Sequence, residues 1–222
     1  MLPLSNAISD LTSGPRCDVW DGIQGYENDD DNLSNALEKK EITLAECIVT
    51  MQLTISFIFR RMDNAERIVR QYDEFFSLHA PQQPLNTIHR TFYTGLIALH
   101  CLRQTEEKYW MDISMHAIER MKTWAEASEW NFENKSLLLN AEHHFSIGDF
   151  DQATEEYHLS IASSHKHRFI HEEAIACELA SNFHSQRGNS DLSLKLMNRS
   201  VECYQSWGAE KKANTLLQML RK

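Results

Sequence analysis

Glycine and proline, the residues that most often form tight turns, are scarce in this sequence. It contains seven glycines and four prolines among 222 residues. Such a composition favours long helices, because a β-rich chain of this length needs many reversals of direction. No segment alternates apolar and polar residues over the length of a half-buried strand. The sequence therefore predicts an all-α protein.

Positive charge is also scarce. Lysine and arginine total 22 against 32 aspartates and glutamates, which gives a formal net charge of −10 at pH 7. Nucleic-acid binding requires clustered basic side chains and a positive field. The basic residues here occur as isolated pairs, such as Lys39-Lys40 and Arg60-Arg61. We therefore expect no nucleic-acid partner.

Long apolar runs and targeting segments are absent from the sequence. No uninterrupted apolar run approaches the ~20 residues that span a bilayer. The N-terminal residues, MLPLSNAISD, lack the basic segment and apolar core of a secretory signal. The five cysteines are odd in number, widely spaced and without a CxxC pair, which is typical of reduced thiols in a cytosolic protein. We therefore expect a cytoplasmic location and no membrane partner.

The motifs of nucleotide-dependent enzymes are missing as well. There is no GxxxxGK[ST] phosphate loop, and no glycine is followed by lysine. The HRD and DFG sets of protein kinases are absent. We therefore expect no catalytic residue and no cofactor, and we interpret the chain as a non-enzyme.

What the sequence does contain is apolar residues at steps of three and four, the spacing of amphipathic helices. Residues 1–40 lack this pattern, hold three of the glycines and include an acidic run from Glu27 to Asp31, so we predict a disordered or loosely docked N-terminal segment. Thr43 and Glu46 have the spacing of a capping box. They open a helical domain over 41–222, in which about nine helices are predicted.

A helical phrase occurs twice in the C-terminal third. It reads AEHHFSIGDFDQATEEYHLSI around Gly148 and ASNFHSQRGNSDLSLKLMNRSV around Gly188, 40 residues later. Aligning the two glycines pairs Ala153 with Ser193, so a small residue recurs where two helices must touch. A period of this size indicates an α-solenoid of antiparallel helix hairpins, in which each unit buries its apolar face against its neighbours.

Eight positions are predicted to shape this array. Gly148 is predicted to end its helix in the left-handed conformation, and Gly188 and Gly208 are predicted to end later helices. The set of structural positions is completed by Gly95, Ala141, Ala153, Ala180 and Trp207.

Histidine is the only residue type that suggests a metal site. His167 and His171 lie one helical turn apart near His165, and Glu172 or Glu173 could add an oxygen ligand. An HExxH zinc motif fails, because the position that needs the second histidine is isoleucine. Scattered surface histidines that titrate near neutrality are the commoner case. We expect no metal, and keep a metal-dependent hydrolase at this corner as an alternative hypothesis.

Four tryptophans near predicted helix corners have two interpretations. Trp110, Trp124, Trp130 and Trp207 could fill irregular space between hairpins. Exposed in a concave groove, they could instead anchor a partner peptide. Packing is the favoured interpretation, above all for Trp207, whose backbone position is set by Gly208.

Four phrases of the sequence together resemble a known helical region. They are FYxGLxAL at 92–99, NFxxKxxLLxAE at 131–142, EAxAxELA at 173–180 and YxxWGAxxK at 204–212. In this order they are similar to the TPR-like segment of large AAA-ATPase-containing hybrid histidine kinases and serine/threonine kinases, over residues 43–222. The resemblance implies a TPR-like solenoid with a role in intracellular signalling, without the kinase and ATPase modules of that family.

The sequence thus predicts a non-catalytic, TPR-like scaffold whose partner is a protein or peptide. One alternative is a fragment of a larger phosphorelay or serine/threonine kinase that has lost its catalytic parts. The metal-dependent hydrolase is the other.

Overall fold

The protein is described by a computed structural model over residues 27–79 and 84–221. Ten helices and no strand occur within these two ranges, which confirms the prediction of an all-α fold for this part of the chain. The helices are α1 (Glu27–Glu38), α2 (Ile42–Ile58), α3 (Met62–His79), α4 (Pro84–Thr105), α5 (Lys108–Ala127), α6 (Glu129–Ile147), α7 (Phe150–Lys166), α8 (Ile170–Gln186), α9 (Ser190–Trp207) and α10 (Glu210–Leu220).

The helix count differs from the predicted nine because α1 lies inside the segment predicted to be loosely structured. Leu33 and Ala36 of this helix are buried, and α1 packs against α2. One short apolar face is enough to hold a helix when a partner covers it. Residues 1–26, the rest of that predicted segment, lie outside the described residues.

Packing runs along the chain. Each described helix contacts the next one, and α2, α4, α6 and α8 also contact one another in succession. The even-numbered helices from α2 to α8 therefore form a continuous row, and one apolar core extends from α1 to α10. No helix within the two described ranges is long and apolar enough to cross a membrane.

Most connectors between helices share one backbone geometry. A single residue with positive φ follows the helix: Gly148 (φ 82°), Gly188 (φ 76°) and Gly208 (φ 87°). This confirms the left-handed stop predicted at Gly148. The same conformation occurs without glycine at Lys40, Arg60 and Arg168.

All six of these connectors also share a pair of backbone hydrogen bonds. At Gly148, the amide N–H of Gly148 donates to the Phe145 carbonyl and that of Asp149 donates to the His144 carbonyl. Equivalent pairs follow Lys40, Arg60, Arg168, Gly188 and Gly208. These bonds satisfy carbonyls that a helix end leaves free, so the chain can reverse within a few residues.

The predicted capping box at the start of α2 is wrong. The helix begins at Ile42, and neither Thr43 nor its N-cap residue Glu41 caps it with a side chain. Glu46 is instead fully buried and lies 3.3 Å from Arg90 Nε of α4. The carboxylate stabilises the contact between two helices of the row, which a local capping pattern cannot indicate.

The 40-residue period is visible as a repeated hydrogen bond. The Ser160 hydroxyl of α7 donates to the Asn134 carbonyl of α6, and the Ser200 hydroxyl of α9 donates to the Ala174 carbonyl of α8, both at 2.8 Å and both buried. Each serine and each acceptor is 40 residues from its counterpart. The hairpins α6–α7 and α8–α9 are therefore joined in the same register.

Close approach of helices depends on small residues at defined points. Ala141, Ala153 and Ala180 are buried. A Cβ atom added to Gly95 of α4 would lie 2.8 Å from the Ala117 Cβ of α5 and 2.9 Å from the Leu139 Cδ2 of α6. Glycine at this position lets three helices meet.

Candidate functional site

A cavity of about 680 Å³ lies where the C-terminal ends of α4, α6 and α8 come together. Its wall combines polar side chains with apolar ones, among them Phe145, Ile147 and Leu179. Sites of this size and mixed lining suit a small ligand or a short peptide segment. This cavity is the candidate functional site, and it is called the groove cavity below.

The wall of the groove cavity follows the sequence repeat. Glu142, Phe145 and Ser146 line it from the last turns of α6. The residues 40 positions later, Asn182, Ser185 and Gln186, line it from α8. The C-terminal ends of α6 and α8, each followed by a glycine with positive φ, thus line the same cavity with residues at equivalent positions of the repeat.

Arg60, which is distant in sequence from α6 and α8, also lines the groove cavity. It is the left-handed residue between α2 and α3, and its guanidinium carbon lies 4.7 Å from the centre of the Phe57 ring. Its Nε donates to Glu178 Oε1 of α8 at 2.9 Å, across 118 residues of sequence. The first half of the row is thereby joined directly to α8.

Glu178 receives donors from three separate elements. Arg60 Nε and Lys212 Nζ of α10 reach Oε1 at 2.9 and 2.8 Å, and the Tyr204 hydroxyl of α9 reaches Oε2 at 3.0 Å. Burial disfavours the ionised carboxyl, but Arg60 and Lys212 outweigh that effect and lower the pKa of Glu178. The carboxylate is therefore ionised at neutral pH.

A second buried pair supports the α4–α6 side of the cavity. Arg103 Nη2 donates to Glu142 Oε2 at 2.6 Å, and Nη1 donates to the Ser146 hydroxyl at 3.0 Å. The Tyr157 hydroxyl donates to the other oxygen of Glu142 at 2.5 Å. Burial and the adjacent carboxylate raise the pKa of Tyr157 well above its ordinary value, so the phenol keeps its proton and remains a donor.

His100 of α4 lines the cavity wall together with Arg60 and Arg103. Burial lowers the pKa of His100, and the charges of Arg103 and Arg60 lower it further. The imidazole is therefore neutral at pH 7. Its site combines a neutral ring with two guanidinium groups.

The three histidines of the predicted metal corner have separate partners. His165 Nδ1 lies 3.1 Å from Glu173 Oε2, and His171 Nε2 lies 3.3 Å from Glu172 Oε1. His167 is buried, with its ring centre 4.2 Å from that of Trp130 and both ring nitrogens without a hydrogen-bond partner. No three histidine, cysteine, aspartate or glutamate side chains of the described residues form a group that could hold a metal ion.

The predicted tryptophans lie outside the groove cavity. Trp110 is fully buried under the guanidinium of Arg70, and Trp124 lies beneath Arg120. Trp207 stacks on His171 at 5.3 Å. Trp130 is 61% exposed. The aromatic ring that lines the cavity is that of Phe145, and Arg103 lies 4.6 Å above it.

None of the eight predicted structural positions lines the groove cavity, although Gly148 and Gly188 directly follow the turns that do. The residues that sequence reasoning missed are Arg60, His100, Arg103 and Asn182. Part of the signal was present: counting back from the paired glycines identifies the lining residues of α6 and α8. For Arg60 no local pattern existed, because its position depends on a contact with a helix far along the chain.

Comparison with known proteins does not place the chain in a family. No family model, no curated protein and no solved structure matches it.

Proposed function

We propose that the chain is a non-catalytic scaffold, a TPR-like α-solenoid that binds a protein or peptide partner in the groove cavity. The observation that carries this proposal is the row of even-numbered helices, in which the C-terminal turns of α4, α6 and α8 line one continuous space and the lining residues of α6 and α8 are in repeat register. Stacked hairpins of this kind form extended binding surfaces in repeat proteins.

The chemistry of the three buried cysteines that the structure describes favours binding over catalysis. Burial raises the pKa of Cys101, Cys177 and Cys203 to about 12. The thiolate, which is the nucleophile in cysteine enzymes, is scarcely formed at neutral pH under those conditions. Protonated thiols of this kind pack as small apolar groups.

A signalling role is the second part of the proposal. It rests on the four phrases that resemble the helical region of ATPase-containing sensor kinases. The structure adds that one of these phrases, EAxAxELA, carries Glu178, which is hydrogen-bonded to residues of three other elements. We propose that such a scaffold brings signalling proteins together inside the cell.

The binding proposal is tested with two matched variants. Asn182→Trp places a large uncharged side chain in the groove cavity from an exposed position on α8, whereas Asn198→Trp makes the same change at an exposed position on α9 outside the cavity. Proteins retained from cell extract are compared by mass spectrometry for wild type and both variants. We expect a set of proteins that wild type and Asn198→Trp retain and Asn182→Trp loses.

Two results would contradict this proposal. Equal retention of every partner by Asn182→Trp would place the binding surface elsewhere. Hydrolysis of ATP by the purified chain above a buffer blank would contradict the non-catalytic part.

A further inference from the structure

Two basic side chains share the carboxylate of Glu178. Its single negative charge is shared by two cations, Arg60 and Lys212, which both contact Oε1. The neighbouring residues Arg103 and Glu142 form their own ion pair, with 2.6 Å between Arg103 Nη2 and Glu142 Oε2. Among the residues that the structure describes, Arg60 therefore has no carboxylate to itself, because Glu178 also binds Lys212 and Glu142 binds Arg103.

Of the two basic residues that share Glu178, Arg60 is the one that lines the cavity. Lys212 is buried, whereas the Arg60 side chain is 26% exposed and lines the cavity wall. Only Nε of its guanidinium donates a hydrogen bond to the residues that the structure describes. The two Nη groups are free to bind an acceptor, and a guanidinium matches the two oxygens of a carboxylate or phosphate.

The field at the cavity wall has the same sign. His100 is influenced by Arg103 and Arg60, which oppose its protonation more strongly than Glu142 and Glu66 favour it. The helix ends that border the cavity contribute partial negative charge. However, the left-handed connectors after α6 and α8 hydrogen-bond their last carbonyls. Glu106 also lines the cavity but is exposed to solvent, where its charge is screened.

We infer that the groove cavity binds an acidic peptide segment, with a carboxylate of the partner held by the free edge of Arg60 beside His100 and apolar side chains packed on Phe145 and Leu179. This inference rests on the proposed function and specifies the chemistry of the partner. It gives an acidic protein a localised site for anions at the partly exposed guanidinium of Arg60.

The first experiment uses glutarate alone as a probe, so that it does not depend on knowing a peptide sequence. The ring resonances of His100 are followed by NMR during titration with glutarate at constant ionic strength, and sodium chloride is the matched control. We expect a saturable shift and a higher pKa for His100 with glutarate bound, because an anion favours the protonated ring. Unchanged His100 resonances up to tens of millimolar glutarate would overturn the inference.

Two variants connect the effect to Arg60. Arg60→Lys keeps one charge for Glu178 and removes the free fork, so we expect glutarate to bind about tenfold more weakly while the fold is kept. Arg70→Lys changes an exposed arginine outside the cavity and should leave binding unchanged. Equal binding by wild type and Arg60→Lys would contradict the role of the guanidinium.

A random peptide library, displayed with blocked termini, tests the partner chemistry and separates this inference from the proposed function. Selected peptides that are rich in aspartate or glutamate and are lost with Arg60→Lys support both. Selected peptides without acidic residues that still compete at the cavity would overturn the inference and keep the proposed function. Selection of no peptide would count against both. Peptides with a free C-terminal carboxylate or a phosphoserine, compared afterwards, show which source of anionic oxygen binds best.

Discussion

Gly95 shows why a single methyl group matters where three helices meet. We expect Gly95→Ala to destabilise the protein by about 1–3 kcal/mol, although alanine is the better helix former by about 1 kcal/mol. The new Cβ would lie 2.8 Å from the Ala117 Cβ, an atom fixed to the backbone, so helices must move apart. Denaturant unfolding of both proteins measures the change.

Ala117→Gly provides the matching variant. In the Gly95→Ala, Ala117→Gly double variant the closest contact is removed, and the other, to Leu139 Cδ2, involves a flexible side chain. We expect the double variant to lose less free energy of unfolding than the sum of the two single variants. A Gly95→Ala protein as stable as wild type would contradict this account of the packing.

Gly148 tests backbone strain without any steric contact. A Cβ atom at this position meets nothing within 4 Å, but φ is 82°. We expect Gly148→Val to reduce the free energy of unfolding by about 1–3 kcal/mol. Gly148→Asn should cost less, since asparagine tolerates the left-handed region. Equal losses for the two variants in thermal unfolding would show that conformational strain is not the cause.

Residue-level prediction from sequence succeeded where the residue type itself signals the geometry. Glycine at 148 indicated a left-handed stop because no other residue adopts that conformation so readily. Lys40, Arg60 and Arg168 adopt the same conformation, and nothing in their residue types predicts it. The cost of a positive φ, about 1–2 kcal/mol, is met there by the hydrogen bonds of the connector and the packing of both helices.

At the scale of helices, each repeated hairpin is held by a buried serine hydrogen bond, and the two serines are 40 residues apart. Ser160 and Ser200 were not singled out from sequence, because a buried serine looks like any surface serine until the facing carbonyl is known. The repeat period, in contrast, was readable from the paired glycines and small residues. The repeat period shows which positions are equivalent in successive hairpins, but the contacts of each residue depend on how the helices pack.

Glu172 of α8 links this helix to α6 and makes stability depend on pH. Its carboxylate lies 2.7 Å from Lys135 Nζ of α6 and 3.3 Å from His171 Nε2, and it accepts a hydrogen bond from Asn134. Burial raises the pKa of Glu172, but the bonds to His171 and Lys135 outweigh burial and lower it to about 2. A folded pKa below the unfolded value means that this stabilisation is complete above pH ~4.5 and is lost as the pH falls toward 2.

We therefore expect Glu172→Gln to be less stable than wild type at pH 7, by on the order of 3 kcal/mol. The difference should shrink below pH ~4.5 and vanish near pH 2. Denaturant unfolding at several pH values measures it. Glu202→Gln, at an exposed carboxylate of α9, should follow the wild-type curve. A difference between Glu172→Gln and wild type that stays constant down to pH 2 would contradict the assigned ionisation.

At the scale of the whole molecule, the hydrogen bond between Arg60 and Glu178 joins the connector after α2 directly to α8. Sequence reasoning predicted helices and their neighbours, since those depend on local periodicity and short connectors. It could not predict a pair separated by 118 residues. Such a contact depends on the packing angle and distance of every helix that lies between the two residues. The shape of the groove cavity depends on the same packing, so the presence of Arg60 in its wall was not predicted.

The same pair gives a test at this scale. We expect Glu178→Ala to cost about 3–5 kcal/mol, because it leaves Lys212 and Arg60 without their acceptor in the interior. Glu66→Ala, which removes an exposed carboxylate 2.9 Å from Arg70, should cost no more than about 1 kcal/mol. Thermal unfolding of both variants at pH 7 compares a buried network with a surface pair.

The response to pH separates loss of charge pairing from loss of packing in Glu178→Ala. Burial lowers the pKa of Lys212, and Glu178 opposes this in the wild type. Without Glu178 the folded pKa falls further below the unfolded value, so the unfolded chain binds more protons than the folded one. Stability of Glu178→Ala should therefore rise relative to wild type as the pH is raised from 7 toward 10. A deficit that stays constant over this range would mean that lost packing, and not an uncompensated lysine, accounts for the destabilisation.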